Sequence, residues 1–418
     1  MSDAHAELPK LTADNTRLAS GSLWRKFPLI GIVLGLGCLG AAWFVGTSPA
    51  SAHAKAGHTQ FFFSYLTALM FWLAVALGCF FFVLIQHGTR AGWSIVVRRI
   101  AENWMMVLPA FAVLIVPVIF GMHELFHWSH AEVVKEDLLL SRKQAFLDPT
   151  FFTVRAFVLV GLWSLFGYML YRWSRKQDTT GDPKLSHKMR WWAPIGFVLF
   201  ALTTTVAAID WMMSLDPHWY STIFGVYYFA GAVMAGGAAI TLSALALQKS
   251  GVLKNAISLE HYQDLGKWTF AFMVFWAYMA VSQFLLIWYA NIPEETVFFG
   301  TRMEGGWDFL SVFMPLAKFG VPFWLLMSKH VKRSRVALAL GAGWLLFAQY
   351  LDIFWLVQPN MALVQGHEAH FSIHIADLLC LVGIGGILVG VFAWLTTRSP
   401  TAPVGDPRLS ESLRFENM

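Results

Sequence analysis

Ten stretches of the chain are almost continuously apolar: residues 27–45, 61–85, 104–122, 151–171, 191–214, 223–247, 268–289, 309–327, 336–357 and 374–396. A helix needs about 20 mostly apolar residues to cross the hydrocarbon core of a bilayer. Strands of a membrane barrel would be about 10 residues long and would alternate in polarity, and these runs do neither. The pattern predicts an all-α integral membrane protein with ten transmembrane helices over 27–396. The polar segments between the runs are short, with one exception. Residues 123–150 mix charges with leucines at helical spacing, which predicts a surface helix packed on the membrane domain or on a partner, and a solvated cap fits the segment equally well. Residues 1–26 form a polar lead. Residues 397–418 form a tail whose proline-rich part, 399–407, is expected to be a flexible end.

Composition agrees with this pattern. The 418 residues are 57% hydrophobic and 13% charged, against roughly 45–50% and about 25% in soluble domains. A soluble globular enzyme, a disordered chain and a nucleic-acid binder are excluded. The net charge of +5 is mild, so its distribution matters more. An even number of spans puts both termini on one side, and 23 of the 30 Lys and Arg residues fall on that side. The positive-inside rule then predicts cytoplasmic termini. Ala50-Ser51-Ala52 resembles a signal-peptidase site. The lead and the apolar run before it are longer than in a signal peptide, so the first span is expected to stay uncleaved. Cys38, Cys79 and Cys380 all lie in apolar runs without a CxxC, which leaves no disulfide framework, iron–sulfur cluster or covalent haem.

Ionisable groups inside membrane helices are costly and mark function by default. Here they are Arg155, Asp210, Lys318, Asp352, His374 and Asp377, with His123 and Glu124 at the exit of the third span and Gln283 and Gln349 as polar companions. Most lie near the outer ends of their spans, whereas Lys318 sits near the middle of the eighth. This asymmetry predicts a polar pocket or proton path open to the outer side and narrowing at Lys318. Arg155 is expected to pair with Asp210 or Glu124, and Lys318 is expected to be neutral or paired, with Asp352 as the first partner and Gln283 or Gln349 as neutral alternatives. His123, Glu124, Arg155 and Asp210 are expected to converge in one outer pocket. Each residue taken alone reads equally well as a hydrogen-bond pin between helices. The pairs His123/His127 and His370/His374 each share a helix face, but HxxxH alone makes no metal site, and none is predicted. No span carries a mid-membrane histidine for a bis-histidine haem.

The most distinctive string joins the fifth and sixth spans. It runs from Asp210 through Asp216-Pro217-His218-Trp219-Tyr220 to Gly225 and Gly231, a tight turn broken by the proline. This string, supported by the Gln349–Asp352 and His374–Asp377 regions, resembles the F subunit of alternative complex III. That complex is a bacterial quinol:cytochrome c (or other acceptor) oxidoreductase of respiratory or photosynthetic chains, and the subunit is similar to the polysulfide-reductase membrane anchors. The resemblance implies a bacterial inner-membrane location. It also implies two four-helix bundles, spans two to five and six to nine, flanked by the first and last helices. It implies no covalently bound cofactor, a quinone (menaquinone or ubiquinone) in this chain or its relative, and redox centres on partners. Those partners would be an iron–sulfur protein, c-type cytochromes and a related ten-helix C subunit.

The residues favour proton handling, although a quinol site would need only one proton acceptor and would use the same side chains. A secondary transporter is the competing class, and it would need a midplane site and broken helices in both halves. A structural anchor for peripheral redox subunits fits the spans but leaves the buried charges without a task.

Overall fold

The computed structural model describes residues 11, 13–47, 58–366 and 369–417. Ala50-Ser51-Ala52, His53, Lys55 and His367 lie outside that range. Among the described residues, ten helices are long and apolar enough to cross a membrane. They are α1 Phe27–Gly46, α2 Thr59–Gly88, α3 Ile95–Phe120, α4 Pro149–Thr180, α5 Pro183–Leu215, α6 Phe224–Lys249, α7 Leu259–Ala290, α8 Trp307–Met327, α9 Arg335–Gln365 and α10 Ile375–Arg398. No strand occurs among the described residues.

α2 to α5 form one bundle and α6 to α9 the second, and α1 and α10 pack on each other beside α2. The bundles meet where α2 crosses α6, and these two helices are the most buried of the ten. Small residues allow that crossing. A Cβ on Gly78 would overlap the Ala232 carbonyl, and one on Gly236 would overlap the Gly78 backbone. α1 meets α10 in the same way: a Cβ on Gly35 would lie 2.6 Å from the Gly383 carbonyl oxygen. Close backbone approach through small residues is how membrane helices gain packing without a hydrophobic drive.

Helix ends follow local chemistry. Asp148 accepts from the Phe151 amide at 2.8 Å, and Asp182 accepts from the Lys184 amide at 2.9 Å, with Pro149 and Pro183 opening the helices that follow. Gly181, in the left-handed region at φ +62°, ends α4 and permits the sharp turn into α5.

Three expectations need correction. The third helix begins at Ile95, nine residues earlier than its apolar run, and Arg98, Arg99, Glu102 and Asn103 are buried within it. Beyond Met105 it advances in short steps around Pro109 and Pro117, because each proline removes a helical hydrogen bond. Residues 123–150 do not form one surface helix. They form short helices at Met122–Leu125, Ala131–Glu136 and Leu138–Lys143, with Leu138 and Leu139 exposed and Leu140 buried. The tail is no loose end. Thr401 pairs with the Thr16 backbone, Asp406 reaches Arg98, and the Ser412 hydroxyl donates to the Trp93 carbonyl at 2.6 Å. It lies as a strap over the face that carries both terminal segments, called the terminal face below.

Candidate functional site

The second bundle holds the best-built cluster. In α8 the helix widens into a π-turn over Leu316–Gly320, between Pro315 and Pro322. Such bulges often mark functional positions. The Trp344 indole donates to the displaced Ala317 carbonyl at 2.7 Å, so the irregular turn is held by α9. The widening carries Lys318 into the bundle interior, where its ammonium donates to Asp352 Oδ2 of α9. The other carboxylate oxygen accepts from the Tyr227 hydroxyl of α6 at 2.5 Å. The Lys318 nitrogen also sits 4.0 Å from the centre of the Trp276 ring of α7. All four helices of the bundle thus supply one group, and Lys318 and Asp352 are 0% and 1% exposed.

Beside this group lies a cavity of about 290 Å3, lined by aromatic side chains including Trp276, Phe284, Phe299, Phe319 and Trp355. Tyr227, Gln283 and Ser311 are also among the lining residues. Gln283 Oε1 is buried without a hydrogen-bond partner. Ser311 donates to the Arg302 carbonyl at 2.6 Å and accepts from the Trp355 indole at 2.7 Å.

Arg302 lies next to this cavity, in the connection between α7 and α8. Its guanidinium donates to the carbonyls of Trp355, Phe298 and Leu356 at 2.8–3.1 Å and lies 3.7 Å over the Phe298 ring. Burial pushes its pKa down to about 9. That still leaves a full positive charge at neutral pH, as a guanidinium should carry.

The structure separates the nine sequence-predicted residues into four groups. Lys318 and Asp352 form the pair above, with Gln283 on the wall of the neighbouring cavity. Arg155 and Asp210 form a two-pronged ion pair between α4 and α5, at 2.7 and 3.1 Å. The Arg155 guanidinium lies 4.0 and 4.3 Å from the Phe146 and Phe151 rings and also donates to the Phe146 carbonyl. His123 and Glu124 do not join them, which corrects the expected four-residue pocket. Glu124 accepts from Thr59 at the start of α2 at 2.5 Å, and His123 Nδ1 meets the Ser129 hydroxyl at 3.0 Å. The short helix Met122–Leu125 points these side chains toward α2 and toward its own following turn. His374 and Asp377 form the fourth group, a reciprocal cap at the start of α10. Asp377 also accepts from Ser64 at 2.6 Å and from Gln358 at 3.2 Å, tying α2 and α9 to α10. Gln349 lies against Gly231, with both side-chain polar atoms buried and unpartnered.

Three features were missed. Tyr227 lies in the distinctive string but reads as one more aromatic. Arg302 reads as a loop charge. On the terminal face, Arg98 pairs with Glu102 and Asp406, and Arg99 with Glu102 and Asp178, at 2.6–3.3 Å and all buried. The signal for that cluster was present in Arg98, Arg99 and Glu102, which stand three and four apart on one helix. Among the described residues, no three His, Cys, Asp or Glu side chains gather as a metal site.

No protein-family model matches this chain, and no curated protein sequence matches it.

Proposed function

We propose that this chain is an integral membrane subunit of a bacterial quinol:electron-acceptor oxidoreductase of the alternative complex III kind, and that its second bundle carries protons. The observation behind this reading is the buried group Lys318–Asp352–Tyr227. Taking two charges out of water costs several kcal/mol per ion, and a hydrophobic pair of similar volume would often hold the bundle as well or better. A charged pair kept there at such cost points to a task. The chemistry suits proton passage. A proton taken up on Asp352 frees the Lys318 ammonium of its counter-charge, and loss of that proton restores the pair. Tyr227, hydrogen-bonded to the same carboxylate, offers a hydroxyl relay toward the cavity wall.

The cavity suits a flat quinone ring, with aromatic walls and an unpartnered Gln283 oxygen to meet a ring hydroxyl. A quinol would supply two electrons and two protons. Gln283 would orient the ring, and Tyr227 would link it to Asp352. Electrons would pass to centres on partner subunits, an iron–sulfur protein and c-type cytochromes, beside a related ten-helix C subunit. The excess of Lys and Arg on the terminal face supports a cytoplasmic location for both termini. A cysteine placed at exposed position 180 is expected to react with an impermeant reagent only after the cells are opened.

A transporter of repeated halves would break corresponding helices. The breaks inside the apolar runs, around Pro109 and Pro117 in α3 and at the π-turn of α8, fall second in one bundle and third in the other and do not correspond, while the fourth helices α5 and α9 change to 3-10 turns toward their ends, at Met213–Leu215 and Gln358–Asn360. Co-purification with multihaem cytochromes is the test of the assignment. Within that complex, Lys318→Met should slow turnover or lower the protons released per electron. Unchanged turnover and stoichiometry would reduce Lys318 to a structural residue.

A further inference from the structure

A second cavity, about 200 Å3, opens on the terminal face between the ends of α2, α3 and α5 and the tail strap. Its wall carries Arg90, Arg98, Arg190 and Arg408, with His87 and His187, against one carboxylate, Asp406. That carboxylate is already neutralised by Arg98 at 2.6 Å, and Arg408 is held by Glu411 at 2.5 Å. Among the described residues, neither Arg90 nor Arg190 makes an ion pair. Two arginines without an ion-pair contact therefore border the cavity, Arg90 within the field of the Glu411 carboxylate.

A second observation is independent of charge. His87 is 6% exposed, lines the cavity, and its Nε2 has no hydrogen-bond partner. A buried polar atom left unmatched costs free energy unless a ligand meets it. The first turn of α5 also borders the cavity, with Pro183, Ser186 and His187, so the positive end of a 29-residue helix adds to the field.

We propose that this cavity holds the phosphate of an anionic phospholipid headgroup, bound by Arg90 and Arg190 and met by His87 Nε2. The site lies where membrane-crossing helices end, at headgroup depth, on the face richest in Lys and Arg, and basic pockets between helix ends suit such headgroups. Because Asp406 and Arg408 form one wall, a bound headgroup also fastens the tail strap to α2, α3 and α5. The proposal does not depend on the redox assignment.

Inorganic phosphate shares the chemistry, so the test separates the two sources. The purified full-length chain is stripped of lipid in detergent and titrated, with native mass spectrometry as the readout. The probes are phosphatidylglycerol, phosphatidylcholine and inorganic phosphate. Phosphatidylglycerol should bind at lower concentration than phosphatidylcholine and should not be displaced by equimolar phosphate. The double variant Arg90→Gln/Arg190→Gln should weaken its binding by about tenfold or more, because charge-assisted bonds to the phosphate are lost. Arg172→Gln, an exposed arginine outside the cavity, should leave it unchanged. Equal binding of the two lipids, or wild-type binding by the double variant, would overturn the site. Phosphate that binds as tightly as the lipid and displaces it would overturn the lipid assignment.

Discussion

A lysine at the centre of a membrane helix has no short route for its ammonium to either surface. Lys318 is accommodated by a widened turn, a carboxylate on the next helix and an aromatic face. Breaking such a pair differs from replacing it. Lys318→Met alone leaves a buried carboxylate without its counter-charge and should lower stability by about 3–5 kcal/mol. Lys318→Met/Asp352→Asn should recover most of that loss, because neither partner is left charged. Thermal unfolding of both variants reads this directly, and a double variant no more stable than the single would show that the pair does not act as a unit. Function should not follow stability, since both variants lack the titratable carboxylate–ammonium couple. Arg155 and Asp210 present the contrasting case, with the carboxylate closed by two guanidinium bonds and the cation enclosed by rings. Lys318–Asp352 was legible in sequence because a mid-span lysine has few acids within reach. Tyr227 and Trp276 were not legible, since a chain with 16% aromatic residues surrounds every site with rings.

At the scale of elements, the apolar runs marked the spans well but misplaced their ends. α3 starts nine residues before its apolar run because Arg98 and Arg99 are matched by Glu102, Asp178 and Asp406, and hydropathy counts each charge on the helix as a reason to stop. The tail is held by the same cluster through Asp406, a partner some 300 positions away that no local pattern can indicate. The segment after α3 is a further case. Asp137 caps the helix Leu138–Lys143 and meets His218 Nε2 at 2.5 Å, while Lys143 donates to the Pro217 carbonyl at 2.7 Å. These bonds latch the segment onto the α5–α6 turn. His218, followed by the backbone amides of Leu140 and Leu139, holds Asp137 below the ordinary carboxylate range. A depressed folded value means the latch contributes fully above the ordinary pKa of about 4 and fades as pH falls through the lower folded value. Hydrogen exchange over 137–143 should therefore be slow at pH 7 in the natural chain and severalfold faster in Asp137→Asn. Below about pH 4 the difference should shrink, and it should close once the pH is under the depressed folded value of Asp137. Equal exchange at pH 7 would remove the latch.

At the scale of the whole molecule, two bundles are joined along α2 and α6, with α1 and α10 as a glycine-packed pair at the side. The ten crossings were legible because a bilayer forces long apolar runs. The gathering of side chains was less legible, because residues at one depth need not face one another. Glu124 turns to α2, Asp377 caps α10, and the second bundle brings Lys318 and Asp352 together beside an aromatic-lined cavity. Asp352 is expected to change protonation as the complex turns over. Quinol-triggered difference infrared spectra of the assembled complex read this change at the carboxyl itself. A carboxyl band should appear during turnover, vanish in Asp352→Asn and persist in Asp377→Asn. Identical carboxyl spectra in the natural complex and in Asp352→Asn would contradict it.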